Sequence, residues 1–466
     1  MMINACTRAS KGKGTIFVDS KLSSGTIKSN IIVSKSLKKY FRYLHFFSSY
    51  DAEITANSSI LNIPVLSIVL PLAWITGADV YVDELDKTFA ESAQALQQEY
   101  GKVYPKAPFN TKLFVDKLVE NKGSPNNTAL LFSGGVDSTY SMFSNITLRP
   151  RLVMIFGIVD IPISNVVFQE KVKTEYSNFA RKEGLEINFI RTNGLEILDR
   201  SRVNHLWWRF KGQNEVYFYQ GIGYMIGQIG QTAPLSNGRF NHLLVGAGND
   251  YTTEYIRKEI LDSSSHRTDE KIAWANLRVK HDGALHRYEK ALFLKKFIND
   301  NGAKLRVCWA LPEYLLRFNL MNCNKCEKCL RTIAALVYAG IDPNDCGFEV
   351  DDSTFYLMRF LIERKLLSLK HLTYLWKPLQ QVIPDKIKED IHGSKKFLEW
   401  FKTVDLDSVA KPPSSLSTFL YYNFPYPVSN VLGKIFYESR PNKYTMYEPI
   451  EIDTLKKNAR KAPELK

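Results

Sequence analysis

The chain has 466 residues, 45% hydrophobic and 24% charged, a balance that excludes a disordered, collagen-like or disulfide-scaffold protein and suits about two or three globular domains. A formal charge of +14 raises the question of nucleic-acid binding, yet Lys35, Lys38 and Lys39, Lys295 and Lys296, and the tail KKNARKAPELK form only short groups that read as solvated faces. Six cysteines, four of them in one set, argue for a reducing compartment, and the start MMINACTRASKGKG lacks the apolar core of a signal peptide, so a cytoplasmic protein is expected.

In chain order, residues 1–122 are read as an N-terminal α/β module. Strands are expected at 15–18 and 30–34, and a helix at 85–100 with Phe89, Ala93, Leu96 and Tyr100 as its apolar stripe. The most apolar stretch, 60–78, contains Asn62, Pro64 and Pro71 and falls short of the roughly 20 clean residues of a membrane span. It is expected to form buried strand and helix, with no membrane partner. NKGSPNNT at 121–128 is turn chemistry and marks a boundary.

Residues 123–307 alternate strands at 129–132, 151–159, 186–192 and 242–247 with helical segments at 166–183 and 215–229. That alternation predicts an α/β domain built on a doubly wound parallel sheet, with ligands at the carboxyl ends of the strands, where Asp160, Asn193 and residues 248–250 fall. Directly after the first strand comes Ser133-Gly134-Gly135-Val136-Asp137-Ser138, then an apolar helical run. Adjacent glycines turn backbone N–H groups toward an anion, and the helix adds its positive end, so the turn suits phosphate. Ser133 and Ser138 can donate to phosphate oxygens. Asp137 would repel them unless a divalent cation intervened, which points to ATP with Mg2+. The same string also serves as a plain serine–glycine turn with an N-cap. No GxxxxGK[ST] string occurs, and GIGYMIG at 221–227 has the wrong glycine spacing for a dinucleotide fingerprint.

VKHDGALHRYEK at 279–290 supplies Lys280, Arg287 and Lys290, and SSSHRTDEKIAW at 263–274 supplies His266 and Arg267. With Asp250 these are the candidate substrate or pyrophosphate contacts, each of which also reads as an ordinary surface residue. Cys323, Cys326 and Cys329 then form C-x2-C-x2-C, with Cys308 fourteen intervening residues before them. Four thiolates suit a closed tetrahedral Zn2+ site, and an iron–sulfur cluster uses similar ligands. This segment, 308–345, continues into a helix at 327–339 that packs through Leu330, Ile333, Ala334 and Val337 and ends at Gly340. Residues 346–466 read as a helical C-terminal region, with Phe355, Leu361, Phe397, Trp400 and Phe401 among its core positions. Cys6 and Cys346 are left as spare thiols.

The SGGVDS string in its strand–turn–helix setting resembles the signature of the PP-loop ATP pyrophosphatases. Joined to the Cys-Trp at 308–309 and the later cysteine cluster, it is similar over about residues 125–335 to the 7-cyano-7-deazaguanine synthase family. The resemblance implies an adenine nucleotide alpha hydrolase-like fold with Ser133, Gly134, Gly135, Val136, Asp137 and Ser138 at the nucleotide, Asp137 and Ser138 among the catalytic residues, and Zn2+ on the four cysteines. It further implies adenylation of a carboxylate, in a small molecule or modified purine, with release of AMP and pyrophosphate and attack by ammonia or an amine to give an amide or nitrile. The family's base-recognition strings are not reproduced: WWRFKGQN at 207–214 and GAGNDYTTEY at 246–255 stand instead. A protein terminus or tRNA is therefore an open acceptor, and a tRNA-modifying PP-loop adenylase of the lysidine-synthase or thiolation type is the alternative. No glutaminase nucleophile is recognisable, so the nitrogen is expected to arrive free or from a partner.

Overall fold

The structure, a computed structural model, describes residues 13–158, 161–210, 217–248, 250, 264–301, 303–309, 312–363, 367 and 372–409. These divide into two compact units, the first holding the described residues of 1–133, 144–247 and 254–282, the second those of 134–143, 248–253 and 283–466.

The first unit is built on one sheet of eleven strands. They are β1 Thr15–Ser23, β2 Thr26–Val33, β3 His45–Tyr50, β4 Asp79–Asp86, β5 Leu113–Val119, β6 Thr128–Leu131, β7 Arg151–Phe156, β8 Ile187–Thr192, β9 His242–Gly246, β10 Ala273–Trp274 and β11 Leu277–Asp282. Their spatial order is β10-β11-β9-β6-β7-β8-β3-β2-β1-β4-β5. The run β11-β9-β6-β7-β8 is parallel throughout. The chain steps outward from β6 to β7 and β8, then returns to the other side of β6 for β9 and β11. Strand order thus reverses at β6, the position at whose carboxyl end a ligand crevice forms in open parallel sheets. The described part of residues 1–122, read from the sequence as a module of its own, supplies β1 to β5 of this same sheet, which β3 joins by pairing antiparallel with β8.

Several elements fall where local chemistry puts them. β2 alternates buried and exposed positions, whereas β1 opens with four buried residues; the two are joined by Ser24 and Gly25, both at positive φ (47° and 70°), as a two-residue hairpin of right-handed twist requires. The helix expected at 85–100 begins two residues later, as Lys87–Val103, because Leu85 and Asp86 finish β4 and the Asp86 carboxylate caps the helix, accepting from the Phe89 N–H at 2.8 Å. Its predicted stripe is buried. The apolar stretch 60–78 contains no strand: it forms helices Ser58–Leu61 and Ile63–Thr76, and every residue from Ile63 to Ile75 is buried. Its unbroken apolar run lacks the period-two alternation that a half-exposed strand would show. Helix Tyr224–Gln231, preceded by a π turn at Tyr219–Gly223, packs on it, so the glycine-rich string 221–227 belongs to a helix contact. No helix among the described residues is long and apolar enough to cross a membrane.

The second unit is helical. Glu327–Tyr338 buries Leu330, Ile333, Ala334 and Val337 and ends before Gly340 at φ 70°. Helices Asp352–Glu363, Thr373–Val382 and Ser394–Thr403 close an aromatic core in which Phe397 stacks on Phe401 at 5.5 Å and Trp376 meets Phe401 edge-on at 5.5 Å. Leu366, Leu369, Cys6 and the basic tail lie outside the described residues.

Gly157, just past β7, adopts φ 93°, and a Cβ there would sit 1.7 Å from the Thr192 carbonyl oxygen at the end of β8. Both obstacles are backbone and cannot rotate away. Gly157→Ala is expected to destabilise the protein by on the order of 3 kcal/mol, read as a lowered urea midpoint at unchanged slope; a midpoint within error of the parent would contradict this.

Candidate anion and metal site

The SGGVDS segment leaves β6 and becomes a turn and a helix. Gly134 takes φ 75°, closed to most side chains, and the Gly135 carbonyl accepts the first helical bond, from the Thr139 N–H at 2.9 Å, so that helix Val136–Ser144 starts directly on the glycine pair. A helix start leaves its first-turn N–H groups without a carbonyl one turn back. Ser133 is exposed. Ser138 is buried and donates to the Gly135 carbonyl at 3.2 Å, which fixes the turn from within.

Asp137, in the first turn, is 22% exposed and holds two cations: Lys290 Nζ lies 2.7 Å from Oδ1 and Arg287 Nη2 lies 3.3 Å from Oδ2. Both come from helix Arg287–Asn301, where a spacing of three residues puts them on one face. Lys290 is fully buried. Burial presses the Asp137 pKa upward, but the Lys290 and Arg287 charges, with Lys328 behind them, outweigh it and hold the carboxyl below its ordinary value. Burial and then the neighbouring Arg331 push Arg287 down to about 10, against the pull of Asp137. Arg287 also donates to Thr332 Oγ1 at 3.0 Å, while its buried Nε–H has no partner among the described residues. Arg331 is held by Glu327 at 2.7 Å, and Glu327 also accepts from the Trp376 indole at 2.8 Å. These contacts make a buried, cation-rich cluster whose described donors are engaged, apart from the buried Arg287 Nε–H.

The residues that sequence reading proposed for substrate separate. Asp250 lies in the second unit and pairs with His286 Nε2 at 3.1 Å, one residue before Arg287. His266 and Lys280 belong to the first unit. His266 opens the short helix His266–Asp269, whose Arg267 pairs with Glu99 at 2.7 Å, and Lys280 is an exposed residue of β11. Asn193, expected on the ligand-facing strand edge, is instead structural: it accepts from the Phe47 N–H and donates to the His45 carbonyl, both at 2.9 Å, tying β8 to β3. Asp160, the 211–214 part of WWRFKGQN and most of 246–255 lie outside the described residues. Sequence reading named Arg287 and Lys290 but did not see Glu327, Arg331 and Thr332, whose only sequence signal is their shared helix with Lys328, nor Trp376, which comes from the separate helix Thr373–Val382 and has no local signal at all.

Cys308, Cys323, Cys326 and Cys329 converge, with all four Sγ atoms within 4.8 Å of one another, and could hold a metal ion. The Cys326 N–H donates to Cys323 Sγ at 3.2 Å, closing a tight turn through Asn324 at φ 59°. Cys326 then caps helix Glu327–Tyr338 and Cys329 lies in its first turn, where the positive helix end favours thiolate. Cys308 reaches the group because buried Asn322 splints two segments, accepting from the Val307 N–H at 2.9 Å and donating to the Leu305 carbonyl at 2.7 Å. Burial pushes the Cys308 and Cys329 thiols up, whereas hydrogen bonds from Cys308, Cys326 and Cys329 hold Cys323 well below the ordinary thiol range. Bound cation would repay the burial cost of all four thiolates. Cys346 is buried apart from the group, its pKa raised by burial.

The extended segment through Cys308 also touches the glycine turn: the Arg306 N–H donates to the Gly134 carbonyl at 2.8 Å. Turn, cation pair and cysteine group are thus joined through backbone and side chain. Comparison of the chain with protein-family models, curated proteins and solved structures gives no match.

The Asp137 pair sets a pH dependence. A carboxyl whose folded pKa is depressed stabilises the fold fully above its unfolded pKa of about 3.9 and loses that contribution as pH falls toward the folded value. Asp137→Asn leaves Lys290 buried and unanswered and is expected to cost about 3–5 kcal/mol at neutral pH. The stability gap between parent and variant, measured by denaturant titration, should stay constant from about pH 5 upward and narrow below about pH 4; a gap that widens in acid would refute the assignment.

Proposed function

We propose that the chain is an ATP-dependent carbon–nitrogen ligase of the PP-loop, AMP-forming type, which adenylates a carboxylate and passes it to ammonia or an amine. The observation that carries the reading is the Gly134–Gly135 turn opening a helix directly after the strand at which sheet order reverses, with Asp137 of that helix set against buried Lys290 and Arg287. A glycine turn at a helix start suits phosphate oxygens, and two desolvated cations suit the charge that builds on departing pyrophosphate.

The residues assigned to the nucleotide are Ser133, Gly134, Gly135, Val136, Asp137 and Ser138. Asp137 is a hard oxygen donor of the kind Mg2+ takes, and a magnesium ion there would share the carboxylate with Lys290 and Arg287. ATP supplies the activating adenylyl group: a substrate carboxylate oxygen bonds to the α-phosphorus as the bond to pyrophosphate breaks. Lys290 and Arg287 are positioned to neutralise that leaving group, while the glycine turn orients it. The four cysteines are assigned to Zn2+, since their mutual approach and the N–H···S turn fit a closed tetrahedral structural site. Asp250, paired with His286, is the residue assigned to contact with the acceptor.

Incubation with ATP, magnesium and a panel of carboxylates is expected to release AMP and pyrophosphate, and Lys290→Gln to slow that release about a hundredfold while the variant still melts cooperatively. ADP and inorganic phosphate as products would overturn the proposal. Metal analysis is expected to find about one zinc per chain, and Cys329→Ser to lose both zinc and the folded second unit, because such sites contribute on the order of 10 kcal/mol. Iron with acid-labile sulfide would replace the zinc assignment with a cluster.

A further inference from the structure

Between β2 and β3 the chain reads Ser-Lys-Ser-Leu-Lys-Lys-Tyr-Phe-Arg-Tyr-Leu-His from Ser34 to His45, with four cations, two tyrosines and no carboxylate. Folding sorts these residues. Leu37 is buried and Phe41 and Leu44 are half-buried, while Lys35, Lys38, Lys39, Arg42 and Tyr43 stay exposed, Tyr43 at 45%.

The loop is tied down. Its 3-10 turn at Lys38–Tyr40 is followed by a strand-like contact in which the Arg42 and Tyr43 N–H groups donate to the Ile197 carbonyl at 2.8 and 3.2 Å, and the Asp199 N–H donates to the Tyr40 carbonyl at 2.8 Å. That contact brings the start of helix Arg200–Trp207, with Arg200 and Arg202, against the loop. Of the neighbouring carboxylates, Asp199 is already engaged: it caps that helix at the Arg202 N–H, 3.1 Å away, and pairs with the Arg202 side chain at 3.3 Å. Arg200 in the first turn of a helix opposes its dipole, and loop cations that make no ion pair among the described residues repel one another, so the arrangement costs stability locally. Lys39 Nζ lies 5.0 Å from the Tyr40 ring centre, and the Arg42 guanidinium 5.3 Å from that of Tyr43. Each ring therefore has a cation beside it.

We propose that this surface binds single-stranded nucleic acid. Lys35, Lys38, Lys39, Arg42 and Arg200 would neutralise backbone phosphates, and Tyr43 would take an unpaired base on its face. Cations interleaved with aromatic rings are the means by which single strands are held without sequence readout. An anionic bilayer fits less well, because the apolar members of the loop are turned inward and only Tyr43 is offered for insertion. The proposal stands independently of the nucleotide chemistry above.

The test uses the full chain and fluorescein-labelled oligouridylate and oligothymidylate, with a matched duplex and phosphatidylserine vesicles as competitors. Binding of either oligonucleotide is expected to weaken with salt. A variant combining Lys38→Ala, Lys39→Ala and Arg42→Ala should bind at least tenfold more weakly at low salt and flatten the log–log salt slope by about 2, the share of three contacts at roughly 0.7 each. Tyr43→Ala, which keeps every charge, should bind about fivefold or more weakly with its slope unchanged. Equal thermal unfolding of parent and variants guards against a folding artefact. The proposal falls if neither oligonucleotide binds, if the triple variant or Tyr43→Ala binds like the parent, if duplex competes as well as single strand, or if vesicles displace the oligonucleotide.

Discussion

Asp137 facing Lys290 and Arg287 is the contact on which the second unit's candidate site depends. Lys290 is fully buried and would be charged at great cost alone. Asp137 repays that cost and in turn is kept ionised by it. Because Asp137 sits one residue inside helix Val136–Ser144, the pair fixes where the glycine turn lies relative to helix Arg287–Asn301. The turn is held a second time by the Arg306 N–H on the Gly134 carbonyl. A rigid turn matters for a phosphate site, since donors aimed in advance need no reorganisation when charge appears.

The cysteine group acts on the same contact from the other side. Cys329 and Thr332 lie one turn apart on helix Glu327–Tyr338, and Thr332 accepts from Arg287. Cys308 lies two residues beyond Arg306, whose N–H reaches Gly134. Drawing the four sulfurs together therefore sets both the helix that steadies Arg287 and the segment that steadies the turn. A closed thiolate site needs no open coordination position to contribute to function: it works by placing neighbours, as outer-shell residues do for metals themselves.

Legibility in the sequence was uneven for physical reasons. The parallel strands β6 to β9, the stripe of Lys87–Val103 and the four cysteines were readable because each rests on local pattern: apolar runs, a 3.6-residue period, short ligand spacing. The start of the helix at Lys87 was missed because Leu85 continues the apolar stripe while pairing decides that it belongs to β4. The joining of β3 to β8 was not legible at all, since register between distant strands is settled by pairing and by Asn193, a polar residue whose two backbone bonds no periodicity reveals. Asp137 was legible as a carboxylate in need of a cation, but the two cations on it lie about 150 residues further along the chain, a separation that local pattern does not bridge.

Charge accounting links the two halves of the proposed site. Arg287, Lys290, Lys328 and Arg331 supply four positive charges, and Asp137 and Glu327 two negative ones. With the cysteines as thiols the surplus is positive; Arg287 is pressed down to about 10 chiefly by burial and then by Arg331. Four thiolates around a divalent ion carry a net charge of minus two, which cancels that surplus on paper. The filled centre would then leave the glycine turn close to electrically neutral overall, rich in donors but poor in net charge. A bare triphosphate, with its several negative charges, is a poor match for such a site, whereas a magnesium-chelated one carries part of its own neutralisation. On this argument a metal at the cysteines would favour recognition by aimed hydrogen bonds over simple attraction, and the magnesium-chelated nucleotide proposed above would suit the turn better than a bare one, with Asp137 sharing the ion while paired to Lys290 and Arg287.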